Sequence, residues 1–254
     1  MEKKIQEYNS IFWEMISGYD ASDSNILRKI IHSFTVANTC FTIACRLKLN
    51  KPKREFAYLV GLFHDIGRFY QWEHYKTYND RVSVDHGDVG ANIMQEINAE
   101  TLGISQNDKM VLIESIKYHT KPYRGNDNSV KLFNTIVNNA DAFSNVMSVA
   151  NGAFQISINK DGYNDEILNA FMSMELLLGY KPESKLDIAL MSMANTYYVK
   201  YDFLRKEIVD NGYIDIMFDN LALLLNEQDY ETFKNAVSNL RNNYFLDESI
   251  IITK

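Results

Sequence analysis

The sequence contains few residues that interrupt helices. Its 254 residues include only 3 prolines and 11 glycines, and that scarcity favours long helices over many short strands joined by turns. Apolar residues make up 46% of the chain and charged residues 23%, which is ordinary usage for a globular protein with a substantial core. We therefore predict an all-α fold.

Cysteine and long apolar runs are also scarce. The two cysteines, Cys40 and Cys45, lie five residues apart in one apolar helical stretch, where they point about 140° apart and cannot form a disulfide or a chelating pair. The chain has no run of 18 apolar residues, so we predict no membrane span. Met1 leads into charged residues and an amphipathic segment without an apolar signal region. We expect a cytoplasmic protein with reduced thiols.

The chain also lacks a dense block of lysine and arginine, and its net charge is -7. Non-specific affinity for nucleic acid comes mainly from a basic surface that neutralises phosphates, so duplex binding is not expected. A small anionic substrate is still compatible with this charge, because a metal ion and a few local cations reverse the field inside a cleft.

Apolar residues recur at helical spacing along most of the chain. Before residue 150 we predict helices at 5–17, 24–49, 53–66, 85–98, 107–119 and 129–149; after it, at 165–180, 183–211, 214–226 and 229–243. Residues 70–84 fit neither period and are predicted to form a long functional loop, and residues 154–164 alternate as in a small β-hairpin. We assign residues 1–150 to a core, and residues 151–254 to a C-terminal helical extension packed on the same domain.

Histidine is absent from the last hundred residues, and all five histidines lie between His32 and His119. His32 is in the middle of a predicted helix, His86 opens one and His119 closes another. Asp141 lies in Asn-Ala-Asp-Ala-Phe on a helix that otherwise reads as core. A carboxylate there is costly to bury unless it is paired or bound to a metal ion.

The adjacent pair His64-Asp65 ends an apolar helix. Neighbouring side chains on a helix diverge by about 100°, so both reach one metal ion only near a helix end. We predict that Gly67 supplies this end as a C-terminal stop. A mixed imidazole and carboxylate set suits Fe, Mn, Zn or Co better than Ca.

The order His32, His64-Asp65, Asp141 resembles the metal-binding pattern of the HD-domain superfamily of phosphohydrolases. The resemblance covers roughly residues 24–150 and is closest to a bacterial branch whose substrates are mostly unassigned. The motifs that carry it are His64-Asp-Ile-Gly-Arg-Phe, Tyr75-x-Thr77, Asp80, Ser83-Val-Asp-His86 and Gly90.

The resemblance implies an HD-domain helical bundle in which these four residues hold one divalent ion. His86 and His119 are similar to the extra ligands of six-ligand members, where the equivalent of Asp65 bridges to a second ion. Those members include cyclic-dinucleotide phosphodiesterases and a di-iron oxygenase. The chain lacks the Gly-Tyr-Pro motif of the cyclic-di-GMP hydrolysing branch, and Thr120 follows His119 where that branch has a second histidine. The cofactor is thus predicted to be one or two divalent ions: Fe, Mn, Zn, Co, Ni or Mg.

A bound divalent ion lowers the pKa of its water from 15.7 toward about 7, which gives a hydroxide that attacks the phosphate at neutral pH. Asp65, Arg68 and His86 are the predicted catalytic residues. Arg68 is also the first candidate to bind the substrate phosphate, because guanidinium grips two oxygens at once; Lys121 and Arg124 are the next. Asp85 or His86 would protonate the leaving oxygen if His86 is not a ligand.

Other interpretations of these residues are also open. His119 suits a helix C-terminus as a cation, Arg68 is also compatible with a surface ion pair, and His74 lies among loop aromatics that either stack a nucleobase or pack in the core. The Met- and Tyr-rich stripes between Met172 and Tyr201 are helical core or a homo-oligomer contact. The predicted function is hydrolysis of a phosphomonoester or phosphodiester, a nucleotide or another small phosphorylated substrate. The alternatives are a di-iron oxygenase and a non-catalytic nucleotide sensor.

Overall fold

The computed structural model describes residues 3–154, 158–177 and 179–244, and the chain divides into two compact units, residues 1–141 and 142–254. No β-strand forms within the described residues, which confirms the all-α prediction. In the same part of the chain, no helix has the length and apolar character that crossing a bilayer requires. The packing of residues 151–254 on the core stays a prediction.

The first unit is built from helices, and the last of them continues past residue 141 into the second unit. They are α1 (Lys3–Ile16), α2 (Ser24–Arg46), α3 (Lys51–Phe63), α4 (Gly67–Tyr75), α5 (His86–Glu96), α6 (Ala99–Leu102), α7 (Gln106–Lys117) and α8 (Asn128–Ala150), with a 3-10 turn at Asp80–Val82. Helix α8 begins in the first unit and ends in the second.

Polar side chains cap the helices that carry the histidines. Asp23 accepts a hydrogen bond from the backbone at the start of α2, and Asp85 does the same for α5, as predicted. The cap of α7 is Ser105, two residues before the predicted start of this helix at residue 107. A serine hydroxyl that accepts from the third helical amide satisfies one of the amides that a helix start leaves unpaired.

Helices α2 and α3 pack closely along most of their length. A Cβ atom on Gly61 would lie 2.8 Å from the Cα atom of Ala37, so only glycine allows this approach. The ring of Phe12 fills the space beside the pair, with its centroid 5.4 Å from Phe34 and 5.6 Å from Phe63. This packing fixes the middle of α2 against the end of α3, where the first two histidines lie.

The segment predicted as a loop at residues 70–84 is helical in its first part. Helix α4 continues to Tyr75, and Lys76 ends it in the left-handed region with φ of 51°. The prediction failed because α4 is short and buries only Gly67, Phe69 and Gln71, too few for a clear helical period. Residues 76–85 do form a connection, apart from the 3-10 turn.

The second unit is built from shorter helices than the sequence predicted. They are α9 (Asp165–Met172), α10 (Lys185–Met193), α11 (Asn195–Tyr198), α12 (Asp202–Asp210), α13 (Tyr213–Ala222) and α14 (Glu227–Asn243). The predicted helix 165–180 stops early because Met174 adopts a left-handed conformation with φ of 56°. Of the predicted hairpin, residues 158–164 form no strand and residues 155–157 lie outside the described residues.

Candidate metal centre

All six predicted metal ligands come together in the first unit, although they come from five separate parts of the chain. His32 lies on α2, His64 and Asp65 follow α3, His86 opens α5, His119 follows α7, and Asp141 lies on α8. Each histidine of the set is at most 7% exposed, and Asp65 is 3% exposed. The centre is therefore a buried cluster in which the ends of α3, α5 and α7 meet the middles of α2 and α8.

The pair His64-Asp65 lies in a three-residue turn between α3 and α4. Gly67 is the first residue of α4 and not a helix stop, which corrects the prediction for it. A Cβ atom on Gly67 would collide with the carbonyl oxygen of His86 and would lie 2.7 Å from the amide nitrogen of Gly90. The glycine is needed because the starts of α4 and α5 touch, and this contact brings His86 beside Asp65.

One group of ligand atoms faces the Oδ2 atom of Asp65. The Nε2 atoms of His32 and His64 each lie 3.6 Å from this oxygen. The Oδ1 atom of Asp141 completes the group, 3.0 Å from His32 Nε2 and 3.9 Å from His64 Nε2. The ligand atoms of the two histidines and Asp141 lie within 4.8 Å of one another, close enough to hold one metal ion.

A second group faces the other oxygen of the same carboxylate. The Nε2 atoms of His86 and His119 lie 3.3 Å and 3.5 Å from Asp65 Oδ1, and 3.0 Å from each other. The carboxylate thus presents one oxygen to each group of histidines. Asp65 therefore lies between two pairs of imidazole nitrogens.

Hydrogen bonds behind the rings orient the histidines. His64 Nδ1 lies 2.7 Å from the carbonyl oxygen of Gly61, and His119 Nδ1 lies 2.6 Å from that of Ile116. Because a carbonyl only accepts, each ring donates from Nδ1 and turns the lone pair of Nε2 toward the centre. The Nε2 atom of His64 is buried and has no hydrogen-bond partner among the described residues. Such an atom fits a metal ligand.

The charge states of these groups also suit metal binding. Burial lowers the pKa of His64 to about 3, so its ring is neutral at neutral pH. Burial alone would raise the pKa of Asp65, but the nearby charge of Lys29 holds it well below its usual range. The pKa of Asp141 is likewise lowered against the effect of burial, chiefly by the hydrogen bond from His32. The site therefore offers the neutral imidazole of His64 and two ionised carboxylates.

Lys29 belongs to the centre and was missed by the sequence analysis. Its Nζ atom donates a hydrogen bond to Asp65 Oδ2 over 2.7 Å, and its side chain is 13% exposed. Burial lowers the pKa of this amine, and the charge of Asp65 opposes that shift. Lys29 is three residues before His32 on the same helix, so helical spacing alone was the sequence feature that pointed to it.

Asp80 supports the centre from behind His86. Its Oδ2 atom accepts a hydrogen bond from His86 Nδ1 over 2.6 Å, and its Oδ1 atom accepts one from Arg68 over 2.7 Å. Burial would raise the pKa of Asp80, but the bond from His86 and the charge of Arg68 hold it at about 2. Arg68 also donates to the carbonyl oxygen of Tyr78, and its Nε atom lies 3.5 Å from Asp65 Oδ1. Its phosphate role stays a prediction.

The structure does not bring three other candidates to the cluster. Lys121 forms ion pairs with Asp85 and Asp88, at 3.0 Å and 2.9 Å. Arg124 is exposed and makes no hydrogen bond or ion pair with a described residue. His74 is exposed, and its ring stacks on an aromatic residue of its own helix. The substrate roles predicted for Lys121 and Arg124 therefore gain no support from these contacts.

In a comparison with protein-family models, the model described as HD domain matches residues 30–146. That range contains all six clustered ligands. No curated protein and no solved structure matches the chain.

Proposed function

From the premise that this chain belongs to the HD-domain superfamily, we propose that it is a metal-dependent phosphohydrolase. Its substrate is a small phosphomonoester or phosphodiester, a nucleotide or a similar anion. The observation that carries the proposal is the division of the Asp65 carboxylate between two groups of imidazole nitrogens. Members of this superfamily are generally metal-dependent hydrolases, and the ligand set fits that chemistry.

The residues that would hold two divalent ions fall into two groups that share Asp65. His32, His64 and Asp141 form the first group, and His86 and His119 form the second. When bound, divalent ions at such a site activate water as a nucleophile and neutralise charge on the phosphoryl group.

His86 is better suited to binding metal than to donating a proton. Its Nδ1 atom is engaged by Asp80, and its Nε2 atom faces Asp65. Asp85, the other candidate acid, accepts a hydrogen bond from the amide at the start of α5 and pairs with Lys121. These bonds hold the pKa of Asp85 below its ordinary value, against the effect of burial, so it is a poor proton donor at neutral pH.

Arg68 supports the reaction through its charge. Its side chain is 15% exposed, and its guanidinium is fixed by Asp80 beside the bridging carboxylate. A fixed cation in a buried site stabilises charge that builds up on phosphoryl oxygens in the transition state.

The proposal is tested by a turnover screen across mono-, di- and cyclic nucleotides and simple phosphate esters, with Mn, Fe, Co, Ni, Mg and Zn. We expect hydrolysis with at least one metal, and elemental analysis should give two ions per chain. Asp65→Ala should lose both the bound metal and the turnover, whereas Asp88→Ala, which removes an exposed carboxylate outside the cluster, should retain both. Full activity of Asp65→Ala would contradict the proposal.

An oxygenase is the second candidate, because a histidine-rich set around one carboxylate also suits a di-iron centre. Hydrolysis consumes no dioxygen, so we expect product to form at the same rate under anaerobic conditions. A strict requirement for dioxygen would favour the oxygenase. Nucleotide binding without turnover under every metal would instead favour a sensor.

A further inference from the structure

We propose that Lys29 binds the phosphoryl group of the substrate, as the innermost member of a basic cluster formed by Arg28, Lys29 and Arg68 around Tyr78. This inference rests on the proposed function, since it assigns a substrate contact to the same centre. It adds two residues, Arg28 and Lys29, that lie one helical turn before His32 on α2.

Lys29 is paired with a carboxylate that belongs to the metal centre. Its ion pair with Asp65, at 2.7 Å, is its only one among the described residues. The oxygen involved, Oδ2, is the same atom that faces His32 and His64. Once both oxygens of Asp65 bind metal ions, this carboxylate no longer balances most of the positive charge of the largely buried Lys29 ammonium. An ammonium left unpaired in a buried site is costly, so an incoming anion is favoured at this position.

Three basic side chains lie near the ring of Tyr78. The charged groups of Arg28, Lys29 and Arg68 lie 5.2, 5.3 and 5.8 Å from the centre of its ring. The ring is held in place, because its hydroxyl donates to the carbonyl oxygen of Asn25 over 2.9 Å. Three cationic groups thus lie around one half-buried aromatic side chain beside the metal centre.

The charges of this cluster do not cancel. Asp80 balances Arg68 at 2.7 Å, and Asp65 balances Lys29 only until it binds metal. Arg28 forms no ion pair with any other described residue. The excess positive charge next to a metal centre favours a phosphate, which offers several acceptor oxygens to ammonium and guanidinium groups at once.

The test measures binding of inorganic phosphate to the Mn-loaded protein by calorimetry, together with the metal content of each variant. For Lys29→Met we expect the Kd for phosphate to rise about tenfold, as for the loss of one charge-assisted hydrogen bond, at unchanged metal content. Lys29→Arg keeps the charge and should stay within about threefold of the wild type. The matched control is Lys109→Met, which removes a partly exposed lysine that bonds to a backbone carbonyl outside the cluster and should change nothing.

Two results would overturn the inference. One is an unchanged Kd for phosphate in Lys29→Met with full metal content. The other is loss of the metal ions together with phosphate binding, which would make Lys29 a positioning residue for Asp65. Arg28→Gln is a second variant, at a partly exposed position, that tests the cluster if Lys29→Met fails to fold. It should weaken phosphate binding about threefold at low salt, less than a buried charge would, because solvent screens it; no change would contradict the proposal.

Turnover separates the two proposals. If Lys29→Met hydrolyses esters with a raised KM and the wild-type protein is active, both proposals hold. A wild-type protein that binds phosphate through Lys29 but hydrolyses no ester would refute the proposed function alone. An active wild-type protein whose KM and phosphate Kd are unaffected by Lys29→Met would refute this inference alone.

Discussion

Both units of the molecule bury carboxylates, but they surround them with different partners. Asp187 in the second unit is fully buried and accepts hydrogen bonds from the backbone amides of Asn164, Glu183 and Ser184, over 2.8, 2.8 and 3.1 Å. Asp65 in the first unit is 3% exposed and is surrounded by imidazole nitrogens and one ammonium. Burial alone therefore does not distinguish a reactive carboxylate from a structural one.

The nature of the partners explains the difference. Backbone amides are permanent donors, so they stabilise an ionised carboxylate in one position and leave it no further role. Asp229 follows the same pattern, since it accepts from the amide of Gly162 and the side chain of Asn226. Imidazole nitrogens, in contrast, present lone pairs when their Nδ1 atoms are engaged elsewhere, and lone pairs around a carboxylate form a ligand set.

The largest effect that tests this comparison is expected at Asp187. Asp187→Ala leaves three backbone amides without their buried acceptor, and we expect the free energy of unfolding to fall by about 3 kcal/mol. Urea denaturation followed by circular dichroism measures this change. The number of metal ions per chain should stay as in the wild type. A loss of metal at preserved stability would show that the second unit contributes to the metal centre and would break the comparison.

A smaller effect is expected at Asp80, which orients a ligand without belonging to the ligand set. Asp80→Ala removes the acceptor of His86 Nδ1, so the ring is free to change tautomer, and we expect metal affinity to fall about 10- to 100-fold. Competition with a chelating dye measures the affinity. Asp88→Ala, which removes a carboxylate paired with Lys121 instead, is the control and should have no effect. Equal losses in the two variants would indicate a general effect of surface charge.

The smallest effect is expected at His74, the histidine that the structure places outside the cluster. Its ring is exposed and its Nδ1 atom lies 2.9 Å from a carbonyl oxygen in its own helix. We expect His74→Ala to change the free energy of unfolding by less than about 0.5 kcal/mol and to leave the metal content unchanged, as measured by denaturation and elemental analysis. A variant with fewer metal ions per chain would show that exposed histidines also take part.

The sequence predicted the long helices and the six clustered residues, but it did not predict a short helix or the role of a glycine between helices. Long helices such as α2 and α8 were found from their apolar period, because a long buried face repeats it many times. Helix α4 was missed, since Gly67, Phe69 and Gln71 are its only buried residues. The six clustered residues were identified from residue type and order, yet the role of Gly67 was wrong, because the collision that excludes a side chain there involves His86, nineteen residues away.

The sequence by itself determined the helical class, the resemblance to the HD domain and the identity of the six clustered residues, because residue type and helical spacing are local properties. Only the tertiary structure decided which oxygen of Asp65 faces which histidines, that Asp80 holds His86, and that Arg28 and Lys29 meet Arg68 at Tyr78. These relations join residues up to 54 positions apart, such as Asp65 and His119. They depend on how the helices pack, and no local pattern encodes a packing angle or a distance between helix ends.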